Sequence, residues 1–268
     1  MNPSDDAQKK KAMEEFKRLR ASYEEQSDKK NFSALVLGES GSGKSFLART
    51  ARGPVHVDSF DPGTGRGLRD CVTSGHIIID SSFEDEDPMK PTQFALWEKT
   101  MERRIKEGYF NFIGTYVLDS STTWSSAIMN EILRRAGIPG QNPRFTHDYG
   151  PQKATINNWL RRLLTLPCDF ILTGHLELVK DEVSGKVSWR YMTAGKGSVT
   201  IPLLFDEIWV MEPKDSSKGV EYRILTQSAG GHLARSRMAQ DGLLSKHEPA
   251  DIKAALKKAG RNYADITI

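Results

Sequence analysis

Apolar and polar positions follow two periods along this chain, and the change from one to the other marks its elements. Residues 1–30 are dominated by charge, and Met13, Phe16, Leu19 and Tyr23 recur at helical spacing. That predicts an amphipathic helix with a thin apolar stripe, which either packs on its own domain or docks as an arm on a neighbouring subunit. Short apolar runs follow at Phe32–Leu37, Val55–Val57, Ile77–Ile79, Phe112–Leu118 and Phe170–Leu172. Runs of this length between turn residues predict buried strands. Helical spacing lies between them, over Gln93–Gly108 (Phe94, Leu96, Trp97, Met101, Ile105), Trp124–Ala136 (Ile128, Ile132, Leu133) and Lys153–Leu166 (Ile156, Trp159, Leu160, Leu163, Leu164). Strands alternating with helices predict an α/β fold with a mainly parallel sheet flanked by helices.

From Leu176 the pattern changes. Leu178–Asp181 and Lys186–Met192 predict a hairpin across Val183-Ser184-Gly185, with a cationic tip at Thr193–Ser198. Glu207–Met211 and Val220–Leu225 predict two further strands across Lys214–Gly219. Short turns favour antiparallel pairing, so the parallel sheet is expected to be extended by antiparallel strands. A final helix, Ile252–Ala259, stops at Gly260. The expected organisation is an N-terminal helical arm at 1–30, a main α/β domain at 31–240 and a helical tail at 241–268.

Composition narrows this picture only a little. With 268 residues, 38% hydrophobic and 27% charged, the chain can bury a full core. A net charge of +3 does not announce a nucleic-acid binder, although a local basic surface is compatible with it. Cys71 and Cys168 form no C-x-x-C pair and read as reduced core thiols of a cytoplasmic protein. No apolar run approaches the ~18 residues of a membrane span. Met1–Asp6 is too polar for a signal peptide, so no membrane partner is expected.

The chemistry concentrates at Gly38-Glu39-Ser40-Gly41-Ser42-Gly43-Lys44-Ser45, which fits G-x-x-x-x-G-K-[ST]. A strand precedes it and a helix start follows at Phe46–Thr50, the context in which backbone amides cradle phosphates. Glu39, Ser40, Gly41, Ser42, Gly43, Lys44, Ser45 and Phe46 are therefore the expected nucleotide-binding residues. Lys44 would reach the β- and γ-phosphates, and the Ser45 hydroxyl would bind Mg²⁺. Asp119 ends an apolar strand and is the expected second Mg²⁺ ligand, although Ile77–Asp80 satisfies the same pattern. Asp58 and Asp61 stand at a strand end beside the Pro62-Gly63 breaker. His175 ends another strand, as a core histidine or as a γ-phosphate sensor. The acidic loop Glu84–Pro88 reads as a solvated turn. Gly230–Arg237 either pairs with acids on its own surface or reaches a phosphate.

In order along the chain, Gly38–Ser45, Asp58…Asp61-Pro62-Gly63, Gly114–Ser120 and Pro167–His175 resemble the RecA-type ATPase core, with Gly195-Lys196-Gly197 and Phe205–Ile208 in support. The likeness is to the phage-encoded, RecA-like proteins that include the Sak-four type of single-strand annealing recombinase, over about residues 32–240. The resemblance implies an ATP- and Mg²⁺-dependent homo-oligomer acting on single-stranded DNA in recombination or replication, in the cytoplasm of a bacterial host, with a single-strand-binding protein as a further partner. It implies that Lys44, Asp61, Asp119, His175 and Lys196 carry the chemistry. Asp119 is the Walker B acid, His175 signals to a DNA-binding loop within 176–198, and Lys196 reaches a neighbour's nucleotide. The family's catalytic Glu falls at Phe60 here, so Asp61 is the candidate base and Asp58 the reserve. A helicase or helicase loader, a small-molecule kinase and a non-hydrolysing scaffold are the competing readings.

Overall fold

The computed structural model describes residues 3–29, 31–180, 182, 185, 187–193, 197–217, 219–240 and 242–267, with side chains of the first helix described for 8–22. The chain forms two compact units, residues 1–32 and 33–268. The first consists of helix α1 (Pro3–Lys29), on which Met13, Phe16 and Leu19 are all exposed. Residues 241–268 fall within the second unit.

That unit is built on a 10-stranded sheet. Its parallel part comprises β1 (Ser33–Gly38), β2 (Val55–Ser59), β3 (Ile77–Asp80), β4 (Thr115–Asp119), β5 (Asp169–Lys180) and β7 (Glu207–Ser216). Strands β6 (Val187–Tyr191), β8 (Gly219–Leu225), β9 (Arg235–Ser236) and β10 (His247–Pro249) add antiparallel pairings. The main path runs β10-β8-β7-β1-β5-β4-β2-β3, which places β1 at the centre. Short helices α2 (Lys44–Leu47), α3 (Thr64–Gly67) and α4 (Arg69–Thr73) follow β1 and β2. The longer α5 (Gln93–Lys106), α6 (Ser121–Arg135) and α7 (Tyr149–Leu163) carry the crossovers, and α8 (Gly197–Thr200), α9 (Arg237–Gln240) and α10 (Ile252–Lys258) complete the unit. This is the α/β arrangement expected above, a mainly parallel core with antiparallel extensions.

Alternation explains the layers. Leu35, Leu37, Tyr116, Leu118, Phe170, Leu172, Ile208 and Val210 point into one core, shared with the helical residues Trp97, Trp124, Trp159 and Leu160. The residues between them (Ala34, Val36, Val117, Ile171, Trp209) are buried on the opposite face. Both faces are covered, which is why these strands read as continuous apolar runs. Trp97 anchors the helical side, with edge-on contacts to Trp124 at 5.4 Å and Trp159 at 4.8 Å between centroids.

Several sequence expectations are revised here. The strand ending at His175 and the first arm of the predicted hairpin are one strand, β5, parallel to β1 and β4 in its first half and antiparallel to β6 in its second. The helix after the phosphate loop is short, passing into a 3-10 turn (Ala48–Thr50) before Gly53-Pro54, where no helix can continue. Cys71 is half-exposed on α4 and not a core residue, whereas Cys168 is buried, with its thiol pushed up to about 12 by burial and the Asp169 carboxylate.

Asp58 is fully buried and belongs to the core. Its carboxylate pairs with Arg104 at 2.8 Å and accepts hydrogen bonds from Trp97 at 2.9 Å and Tyr116 at 2.7 Å, with His56 2.9 Å away. Its role as reserve base is thereby removed, because every approach to the carboxylate is filled. Removing one partner of a buried pair strands the other charge, at a cost of about 3–5 kcal/mol. Asp58→Ala should therefore lower unfolding free energy by that amount in urea titration; an unchanged midpoint would show that the network does not hold the fold.

Candidate functional site

The parallel strands end together, and at that end the sheet register brings the predicted residues into one place. Gly38 stands opposite His175 and Ser59 opposite Asp119. The loop from Gly38 to Ser45 then turns through Gly41 (φ 76°) and Gly43 (φ 88°), conformations that side-chain-bearing residues rarely adopt. The turn is closed by Ser42 N–H to Glu39 O at 3.2 Å and Leu47 N–H to Gly43 O at 3.0 Å.

Lys44 is buried and folds over this loop, donating to Gly38 O at 3.0 Å and Glu39 O at 2.7 Å. Burial lowers its pKa, and the carboxylates of Asp119, Asp61 and Glu39 oppose that shift. Ser42 Oγ is buried with no hydrogen-bond partner. A buried ammonium that, among the described residues, bonds to backbone carbonyls and a buried hydroxyl without a partner are donors that a polyphosphate satisfies. With α2 so short, the anion-binding character comes mainly from the loop amides and Lys44.

Asp119 is almost entirely buried at the end of β4. One carboxylate oxygen accepts from Ser45 Oγ at 2.6 Å and Thr64 Oγ1 at 3.1 Å, and the other from Thr173 Oγ1. Burial raises its pKa, while the Ser45 and Thr173 hydroxyls work against the rise. A serine hydroxyl and a carboxylate meeting at the foot of the loop are hard oxygen ligands of the kind Mg²⁺ takes. Asp80, the other strand-end acid, lies on β3 at the sheet edge and pairs with Arg104.

Asp61 leaves β2 beside Asp119, with the amides of Phe60 and Asp61 bonded to Asp119 O at 2.6 and 3.3 Å. One Asp61 oxygen accepts from Ser120 Oγ at 2.9 Å and from Thr123 Oγ1; the other faces His175 Nε2 at 3.9 Å. His175 is held in turn by Thr122 Oγ1, 3.3 Å from both its amide and its Nδ1. Burial and the Lys44 charge hold its imidazole below the usual histidine range, and the carboxylates of Asp61 and Asp119 oppose that shift. Phe60, where the family pattern puts its acid, is a core residue stacked on Phe83 at 5.5 Å.

The structure thus brings Lys44, Ser45, Asp61, Asp119 and His175 together, while Lys196 lies outside the described residues. Sequence reasoning did not pick out the hydroxyls of Thr64, Ser120, Thr122, Thr123 and Thr173. The Ser120–Thr123 run is a visible signal for Ser120, Thr122 and Thr123, and Thr173 lies within the Pro167–His175 stretch singled out above. Elsewhere, Arg235 donates to Pro202 O at 3.2 Å and Phe205 O at 2.7 Å, and Arg237 pairs with Asp206 at 2.9 Å, so both turn to their own surface. In the acidic loop, Glu84 accepts from Gly63 N–H at 3.1 Å and Glu86 from Gln93 N–H at 3.1 Å. No group of three or more His, Cys, Asp or Glu side chains placed to hold a metal ion occurs among the described residues. Among them too, no helix is long and apolar enough to cross a membrane.

No curated protein matches the chain. Solved structures similar to it include a KaiC-like protein, PH0186, from Pyrococcus horikoshii OT3, at 12% identity and a TM-score of 0.41, covering 74% of this chain and 80% of that one. The flagellar accessory protein FlaH from Methanocaldococcus jannaschii is also similar, at 14% identity and a TM-score of 0.39, covering 81% and 86%. An AAA domain family model (AAA_24) matches residues 30–238, the stretch that carries the loop, Asp61, Asp119 and His175, and the chain belongs to this family of P-loop nucleotide-binding ATPases.

Proposed function

We propose that this protein hydrolyses ATP with Mg²⁺ and couples turnover to single-stranded DNA. The observation that supports hydrolysis, as opposed to binding alone, is the Asp61 carboxylate. Two hydroxyls fix one of its oxygens, and the other faces His175 Nε2 at 3.9 Å. A carboxylate placed this way accepts a proton from the water that attacks the terminal phosphorus, as ADP leaves. Lys44 stabilises charge on the transferring phosphoryl oxygens. Mg²⁺, when held by Ser45 and Asp119, would supply further neutralisation of the phosphates. The non-hydrolysing scaffold reading rests on the missing catalytic Glu, and the position of Asp61 supports hydrolysis over it.

The coupling reading rests on β5. This single strand runs from the buried sheet through His175, beside Asp61, and on to Lys180 in the hairpin with β6. A change at the terminal phosphate felt by His175 has a continuous backbone path to that hairpin. The resemblance to annealing recombinases supplies single-stranded DNA as the ligand there, phage recombination or replication as the setting, and a homo-oligomer in which Lys196 serves a neighbour.

The test is ATP hydrolysis with and without single-stranded DNA, with oligomer mass recorded in the same samples. Turnover should rise with DNA, and DNA affinity should fall steeply with salt, at a slope of about −0.7 per phosphate contact. Salt-insensitive or absent binding, or stimulation by a small metabolite in place of DNA, would remove the DNA part and leave the ATPase. Annealing and unwinding assays run side by side distinguish a recombinase from a helicase or its loader.

A further inference from the structure

One flank of the phosphate loop is accounted for by the acids. Asp61, Asp119 and His175 come from β2, β4 and β5, all on the same side of β1 in the sheet. On the other side of β1 lies β7, and the β7–β8 hairpin carries Tyr222, opposite Pro213 in the antiparallel register. This tyrosine lies against the loop. A Cβ at Gly43 would stand 2.8 Å from its Cδ1, so the ring occupies space that only a glycine leaves open. Beside it is Phe46, next in the chain after Ser45, with ring centroids 6.4 Å apart and planes inclined by 31°. Both rings remain open to solvent, Tyr222 at 37% and Phe46 at 47% exposure, and Arg49 stacks over Phe46 at 4.4 Å.

An exposed aromatic residue alone needs no explanation. Two in contact on the lip of a phosphate loop, on the flank away from the catalytic acids, are a different case. A nucleoside triphosphate whose terminal phosphate faces Asp61 and His175 extends its other end away from them, towards this flank. The separation of the two rings is that of an ordinary aromatic contact, so together they present one surface and not a slot.

We propose that Tyr222 and Phe46 form the platform on which the purine base of the bound nucleotide stacks. The proposal rests on the nucleotide-binding reading of the loop and adds the residues that grip the base. Stacking engages the flat face common to all bases, so the platform distinguishes a nucleotide from a bare polyphosphate.

The experiment is calorimetric titration of the full chain with Mg-ATP and, separately, with Mg-tripolyphosphate, which has no base. Loss of a base-stacking aromatic typically weakens binding by about 5- to 150-fold. Tyr222→Ala should weaken ATP binding within that range and leave tripolyphosphate binding unchanged, Phe46→Ala should act in the same direction, and Tyr222→Phe should retain wild-type affinity. Unchanged ATP affinity in the alanine variants, or equal loss for both ligands, would overturn the platform. If the wild-type chain binds neither ligand, the nucleotide site itself is wrong and the platform falls with it. That failure appears before any variant is made, so the two are distinguishable.

Discussion

Lys44→Met is expected to reduce ATP turnover by at least about a hundredfold, the usual scale for losing one preorganised charge partner of a reacting oxyanion. The side chain is buried and its ammonium donates to the carbonyls of Gly38 and Glu39. Those contacts keep the charge beside the loop until phosphate oxygens replace them. Methionine preserves most of the volume and removes the charge, so lost activity would not reflect a collapsed loop. Stability supplies an independent check on the same residue. Burial depresses the Lys44 pKa, so the folded chain binds this proton less readily than the unfolded chain does. Stability must therefore rise with pH through the alkaline window below the ordinary lysine value, and the charged form is a cost at neutral pH. The difference between wild-type and Lys44→Met unfolding curves isolates that contribution. The variant without nucleotide should be at least as stable as wild type and should lose the stabilisation that Mg-ATP gives. Steady-state turnover at the wild-type rate would show that the phosphates lie elsewhere.

How far the residues announced this site depended on how local each signal was. Gly38–Ser45 was legible because the motif is contiguous and flanked by its strand and turn. The acids were harder, since each is defined by which strand its own strand pairs with. Asp80 and Asp119 both end apolar strands, and the longer strand with the Ser-Ser-Thr-Thr run after it favours Asp119; the sheet order, with β3 at the edge and β4 next to β5, is what sends one to Arg104 and the other to Ser45. Asp58 and Asp61 pose the same problem at shorter range. Asp58 is still in β2 and faces the interior with Phe60, whereas Asp61 is past the strand end and free to turn towards Asp119. The length of β5 was hidden because its pattern changes at Gly174-His175, where one face passes from buried to half-open. Tyr222 could not be found at all from spacing. Its approach to Gly43 is set by a hairpin that joins the sheet far along the chain.

Asp61→Asn tests the least local of these placements. Asparagine keeps an oxygen that accepts from Ser120 and Thr123, so the loop after β2 should retain its position. It cannot take a proton from water, and general-base contributions run at about 10²–10⁴-fold, so turnover should fall by that factor. Binding should behave differently. Removing a negative charge from the neighbourhood of the terminal phosphate leaves Mg-ATP affinity equal to wild type or tighter, which calorimetry reads directly. Asp58→Asn provides the contrast, because that carboxylate is sealed in the Arg104, Trp97 and Tyr116 network. Its effect should appear in the denaturant midpoint, with turnover per folded molecule nearly unchanged. Slow turnover with intact binding at position 61, together with a stability loss alone at position 58, would place the proton acceptor two residues beyond the strand and not within it. Wild-type turnover in Asp61→Asn would remove Asp61 from the chemistry and leave Asp119, Ser45 and Lys44 as a site that binds nucleotide without a resident base.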